Sequence, residues 1–119
     1  MPKTVLIVDD HPSFRCSARA ILEAEGFEVI GEAATGALAI DATRSLHPDV
    51  VLLDIQLPDG SGFDVCAELV SLNGAAPQVV LVSSRDACDY GELIASSGAR
   101  GFVPKAELSG EAVASLLLG

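Results

Sequence analysis

Four consecutive residues, Val50 to Leu53, carry no polar side chain, and Asp54 ends the run. A strand with one wet face alternates between apolar and polar. A run that does not alternate is covered on both faces, as in a parallel sheet. Beyond Asp54, the residues Pro58, Asp59, Gly60 and Gly62 mark a loop. The strand therefore delivers a carboxylate to its C-terminal end, the rim where open α/β sheets carry their sites.

The same pattern recurs along the chain. Thr4 to Val8 reads as a first strand that stops at Asp9 and Asp10. Pro12 suits the first turn of a helix. The apolar residues Phe14, Ala18, Ile21 and Leu22 then give one buried stripe over Ser13 to Glu25, closed by Gly26. Phe27 to Ala33 alternates more and predicts a strand nearer the sheet edge. Thr35 is placed to cap a helix from Gly36 to Leu46, with Leu38, Ala39, Ala42 and Leu46 facing inward. A third helix is expected from Phe63 to Leu72, burying Phe63, Cys66, Ala67 and Val70, with Asn73 and Gly74 ending it. Gln78 to Val82 is a fourth apolar strand, ending in Ser83 and Ser84. A helix from Ala87 to Ser97 follows, stopped by Gly98. Gly101 to Val103 is a short fifth strand ending at Pro104 and Lys105, and Ser109 can cap a last helix from Gly110 to Leu118.

Five strand–helix units with short connections predict an α/β fold. It is a parallel sheet in a three-layer sandwich, with helices on both faces. Right-handed crossovers put all five strand C-termini on one edge. With 119 residues, the chain is expected to form one domain over 1–119.

Composition excludes several roles. The formal net charge is −10, which opposes a grip on nucleic acid by this domain and on an anionic membrane surface. No apolar run is long enough to span a bilayer. Cys16, Cys66 and Cys88 are widely spaced and form no zinc motif, so core thiols in a reducing cytoplasm are the expectation. The N-terminus runs straight into a strand, so no signal peptide is expected.

The rim, by contrast, is crowded. It collects Asp9 and Asp10, Asp54, Ser83 or Ser84, and Lys105. Two carboxylates about 5 Å apart repel by roughly 3 kcal/mol at an effective dielectric near 20. Such a cluster holds a proton or a cation. Mg²⁺ (or Mn²⁺) favours oxygen ligands, takes one or two carboxylates, and keeps waters that a phosphate can replace. Singly, Asp10, Ser83 or Ser84 could be a helix cap. Four strand ends converging point to an active site. His11 reads as a solvated helix-start residue, because imidazole suits Mg²⁺ poorly.

These segments resemble the receiver domain of two-component response regulators, over the whole chain. VLIVDDH resembles the family's acidic pair, VVLLDIQLPDGSGFD its phosphoacceptor segment, LVSS its hydroxyl, and ARGFVPKAEL its aromatic–x–x–Lys segment. The last is also similar to receivers of the NarL/FixJ class of transcription factors. The resemblance implies the flavodoxin-like strand order 2-1-3-4-5. It implies Asp54 as the nucleophile taking a phosphoryl group from the phosphohistidine of a sensor histidine kinase or phosphotransfer protein. Asp10 and Asp9 would hold Mg²⁺ together with Asp54 and the Gln56 backbone carbonyl. Lys105 and Ser83 would contact phosphoryl oxygens. Phe102 would be the switch aromatic, here without a hydroxyl, coupling the site to the face of the fourth helix, fifth strand and fifth helix. Arg85 and the Gln56 side chain flank the expected path of an attacking water and would tune phosphate lifetime. In the family, the residue after the lysine is often a proline with a cis bond. Here it is Ala106, for which a cis bond would cost roughly 3 kcal/mol.

Other classes fit less well. A phosphohydrolase using Asp54 would want a second aspartate two residues on, where Gln56 stands. A flavodoxin-like cofactor carrier needs a Ser/Thr/Gly phosphate loop where this chain has two carboxylates. A degenerate receiver serving only as a binding module would lack an acidic residue or the lysine, and none is lacking. A homodimer through the last helices is left open.

Overall fold

The structure is a computed structural model, and it describes residues 2–72, 76–85 and 87–117. Five strands form one wholly parallel sheet. They are β1 (Thr4–Val8), β2 (Glu28–Ala33), β3 (Val50–Asp54), β4 (Gln78–Ser83) and β5 (Gly101–Pro104). Their order is β2-β1-β3-β4-β5, the flavodoxin-like arrangement expected. The sequence reasoning ended β3, β4 and β5 one residue early. Asp54, Ser83 and Pro104 are the last residues of their strands, so the ladder itself fixes where the polar groups emerge.

Alternate residues of the central strands enter two separate cores. Val5, Ile7, Val50, Leu52, Val80 and Val82 pack with Ala18 and Leu22 of α1 (Pro12–Ala24) and Val113 of α5 (Gly110–Leu117). Leu6, Val8, Val51, Leu53, Val79 and Leu81 pack with Ala39 of α2 (Gly36–Leu46) and Val65, Cys66 and Leu69 of α3 (Gly62–Val70). Each fully buried Val or Leu contributes about 1.5–3 kcal/mol, so the apolar runs hold both helical layers at once.

The caps follow the sequence. Pro12 opens α1, Thr35 Oγ1 accepts from Leu38 N at 3.2 Å, and Ser109 Oγ accepts from Ala112 N at 3.0 Å. His47, at φ 50°, ends α2.

Four expectations are corrected. In α2, Leu38 and Leu46 face solvent, and Gly36, Ala39 and Thr43 are buried instead. In α3 the inner face is Val65, Cys66 and Leu69, whereas Ala67 and Val70 are exposed; the helix stops at Val70, so its phase is set one residue away from the predicted stripe. The predicted terminator Asn73–Gly74 and the predicted last helical residue Leu118 lie outside the described residues. Only Cys66 is a core thiol, and Cys16 and Cys88 are exposed and unpaired. The largest change is after β4. A continuous helix from Ala87 to Ser97 is replaced by a 3₁₀ turn (Ala87–Asp89) and a five-residue α4 (Glu92–Ser96). Gly91, at φ +56°, breaks the helical path between them, and α4 buries no residue. The Lys105–Ala106 bond is trans, since no cis peptide occurs among the described residues.

The loop after Asp54 is tightly fixed. Gln56–Leu57 pairs antiparallel with Gly60–Ser61. Gly62 N donates to Ile55 O at 2.6 Å, bringing the start of α3 against the strand end. Asp59 reaches out of this loop and accepts from Gly36 N at 2.8 Å and Ala37 N at 3.1 Å. Those amides of the α2 N-terminus hold its carboxyl below the ordinary aspartate range. A Cβ at Gly62 would strike the Asp54 carbonyl oxygen and come within 2.7 Å of Ile55 Cα, both backbone atoms. Gly62→Ala is therefore expected to destabilise the fold by about 1–3 kcal/mol in urea unfolding. An unchanged midpoint would show that the loop yields freely.

Candidate active site

Asp9 and Asp10 follow β1 directly. Asp9 N donates to Ala33 O at 3.0 Å, extending the β1–β2 ladder, and Arg15 Nη1 donates to Asp9 O at 2.6 Å. Arg15 Nε also donates to Glu32 Oε1 at 2.9 Å, so α1 clamps this loop to β2. The Arg19 guanidinium, with Arg15 beside it, holds the Glu32 carboxyl below its ordinary range.

Asp9 is fully buried, Asp54 is 3% exposed, and Asp10 is partly exposed. Lys105 lies between the first two, with Nζ 2.5 Å from Asp9 Oδ2 and 3.4 Å from Asp54 Oδ2. The ammonium also sits 4.5 Å from the centre of the Phe14 ring, a cation–π contact that steadies it from α1. Gln56 N donates to Asp54 Oδ1 at 3.2 Å. Burial first, and the Asp9 charge second, push the Asp54 carboxyl up to about 6, against the pull of Lys105 and the Gln56 amide.

Ligand atoms of Asp9, Asp10, His11 and Asp54 lie within 4.8 Å of one another. Asp10 Oδ1 is buried without a hydrogen bond, and Asp9 Oδ2 has the ion contact to Lys105 but no directed hydrogen bond. Three carboxylates against one ammonium leave two formal negative charges. Carboxylate oxygens with so few hydrogen-bond donors around such a charge fit a hard divalent cation. His11 was read from sequence as a solvated helix-start residue. Its side chain is largely exposed, yet Nδ1 lies 3.0 Å from Asp9 Oδ1 and 3.1 Å from Asp10 Oδ1. Its place directly after the acidic pair was the signal for that contact.

Ser83 and Ser84 have different surroundings. Ser83 is fully buried, whereas Ser84 is exposed. Ser83 Oγ accepts from Arg85 N at 3.1 Å and lies 2.7 Å from Tyr90 Oη. The Arg85 and Gln56 side chains are exposed, and their backbone N–H groups donate to Ser83 Oγ and Asp54 Oδ1. Phe102 is half-buried, its ring centre 6.0 Å from that of Tyr90. Sequence reasoning missed Tyr90 because it lies in no motif and falls where a regular helix was expected.

The sequence profile of the response regulator receiver domain matches residues 5–116. The chain belongs to this family. It is 40% identical over 107 residues to BvgA, a putative positive transcription regulator of virulence factors from Bordetella pertussis, covering 90% of this chain and 51% of BvgA. It is 39% identical over 103 residues to a putative transcriptional regulator from Pseudomonas aeruginosa, covering 87% of this chain and 49% of that protein. The receiver thus spans about half the length of these curated relatives. The signal receiver domain of the putative response regulator NarL from Mycobacterium tuberculosis superposes with a TM-score of 0.86 at 32% identity, covering 99% of this chain and 98% of that one. Among the described residues, no helix of this receiver is long and apolar enough to cross a membrane.

The raised Asp54 carboxyl sets a stability prediction. A folded-state pKa above the unfolded value means that ionising Asp54 costs stability as pH rises toward and through about 6. Asp54→Asn removes that cost, so the metal-free variant is expected to be more stable than the parent by on the order of 1–3 kcal/mol at pH 7.5. The gain should shrink by pH 5, where the folded carboxyl is mostly protonated. Urea unfolding at both pH values checks this; a loss of stability at pH 7.5 would show that the Lys105 attraction outweighs burial and repulsion.

Proposed function

We propose that this domain, over 1–119, is the phosphoacceptor switch of a cytoplasmic two-component system, with Asp54 as the acceptor. The observation that carries the reading is the buried Asp54 carboxylate at the end of β3, with Lys105 on one oxygen and Asp9 and Asp10 beside it. The donor is the phosphohistidine of a sensor histidine kinase or a phosphotransfer protein. A carboxylate oxygen of Asp54 attacks phosphorus. The P–O bond forms as the P–N bond breaks, and the imidazole leaves with the bonding pair and takes a proton from water. Return to the resting state is attack of water on phosphorus, which breaks that P–O bond and restores the Asp54 carboxyl with release of inorganic phosphate.

The residues would divide the work as follows. Asp10, Asp9, Asp54 and the Gln56 carbonyl would hold Mg²⁺ (or Mn²⁺). When bound, the cation supplies neutralisation of the charge shared by carboxylates and phosphoryl oxygens. Lys105, steadied by Phe14, pairs with one phosphoryl oxygen, and Ser83 donates to another. Placement and charge neutralisation are most of what phosphoryl transfer requires. The domain thus assists its own phosphorylation and dephosphorylation, and Arg85 and the Gln56 side chain set the phosphate lifetime at the solvent side. Phe102 passes the change to the face of α4, β5 and α5. The output is transcription, a reading supported by relatives described as transcriptional regulators. The net charge of −10 leaves DNA contact to other parts of such a regulator. A homodimer through α5 is compatible with this output.

Intact mass after incubation with acetyl phosphate or a phosphoramidate tests the reading. The expected gain is about 80 Da, one phosphoryl group, present only with Mg²⁺ and absent in Asp54→Ala. No gain at any Mg²⁺ concentration would overturn it. Replacing both Gln56 and Arg85 by Ala should change the autodephosphorylation rate severalfold, and an unchanged rate would remove them from that role.

A further inference from the structure

Among the described residues at the strand ends, Ser83 holds the one fully buried hydroxyl, and its Oγ is engaged on both sides. Arg85 N donates to it at 3.1 Å, and Tyr90 Oη lies at 2.7 Å. The Asp54 carboxylate takes its hydrogen bonds elsewhere, from Gln56 N and Lys105. Tyr90 stands between the 3₁₀ turn and α4, one residue before the break at Gly91. Its ring meets Phe63 edge-on, with centres 5.6 Å apart at 69°, and tilts against Phe102 at 6.0 Å. Phe63 lies in the first turn of α3, beyond the Asp54 loop, and Phe102 is three residues before Lys105. One side chain therefore touches the Ser83 hydroxyl and the rings of Phe63 and Phe102.

We propose that Tyr90 is a positioning residue, a latch that holds the Ser83 hydroxyl in the unphosphorylated state and gives it up when a phosphoryl oxygen arrives. The inference rests on the phosphoacceptor reading above and extends it to a residue outside the site. A hydroxyl has one proton to give. Either hydroxyl can donate in the Ser83–Tyr90 contact; with Ser83 as the donor, that contact uses the one proton that a hydrogen bond to a phosphoryl oxygen needs. The bond to a charged oxygen is the stronger of the two, so charge at Asp54 shifts the equilibrium. The segment that must move is the least anchored of the helical layer. α4 has five residues, none buried, and its Leu93 is 56% exposed. Such a segment opens at low cost. Phe102 has no hydroxyl, so the hydroxyl that answers Ser83 here comes from a different element.

The chain has one Tyr and no Trp, so its intrinsic emission reports on Tyr90 alone. In the wild type, adding beryllofluoride with Mg²⁺ as the phosphoryl stand-in should change tyrosine emission as the Ser83 contact breaks. Tyr90→Phe keeps the ring and removes the latch. Its beryllofluoride affinity by calorimetry should rise about fivefold, the size of one net hydrogen bond. In a Ser83→Ala background, the same change should add nothing, because the partner is gone. A merely structural tyrosine would lower the melting temperature and leave the affinities and the cycle additive. A wild type that takes up no phosphoryl group by intact mass sinks both readings. Uptake with unchanged tyrosine emission, or with equal affinity in Tyr90→Phe, sinks the latch alone.

Discussion

Two carboxylates are buried side by side at the end of an otherwise apolar sheet, and much of the surrounding structure answers that cost. Asp9 and Asp54 lose water on folding, and only Lys105 Nζ stands between them. Breaking a buried ion contact by removing one partner leaves an uncompensated charge, which costs more than the contact contributes. Lys105 is therefore held from a second direction by the Phe14 ring. Asp9 is further pinned by backbone and imidazole contacts, with His11 N at 2.8 Å from Oδ1. The arrangement remains acidic after all of these, and Asp54 stays hard to ionise. A site in this condition favours whatever brings positive charge, and a dianionic phosphoryl group is acceptable there only alongside such charge.

Geometry at the rim depends on close backbone approach rather than on side-chain packing alone. Gly62 lets α3 start against the Asp54 carbonyl, and Asp59 ties the same loop to the first amides of α2. Arg15 performs the corresponding task for the β1 loop by binding its Asp9 carbonyl and Glu32 together. Each connection joins a strand end to a helix on the face it must pack against. The two cores thereby set the distances between charges that they do not contain.

This division explains what could be read from the sequence. Strand runs and caps are local, and Val50–Leu53, Thr35, Pro12 and Ser109 behave as their chemistry requires. The polar strand ends were legible because each follows an apolar run that must be buried on both faces. Helix phase was less legible where apolar residues exceed one stripe. In α2, Leu38 and Leu46 looked as buriable as Ala39, yet the buried residues are the small ones, Gly36, Ala39 and Thr43, and Gly36 leaves no room for a side chain against Val65 of α3. The break at Gly91 was hidden because Gly is tolerated within helices, and only the weak packing of the flanking residues decides against one there. Tyr90 could not be found from spacing, since it falls between the 3₁₀ turn and α4 rather than on a regular helix.

The two faces of the sheet meet the same charge differently. On the α1 and α5 face, Lys105 is backed by Phe14, an aromatic ring packed against a core that includes Leu22 and Val113. On the α3 face, Ser83 is met by Tyr90, whose neighbours are two rings and a helix with no buried residue. A new negative group at Asp54 pulls on both Lys105 and Ser83. The Lys105 side is backed by a dense core, and dense cores resist small displacements. The Ser83 side leads to a segment that few contacts restrain. On the proposed function, charge placed at Asp54 would therefore have a preferred direction of escape, out through β4 toward α4, and that asymmetry would let a rigid sheet act as a switch.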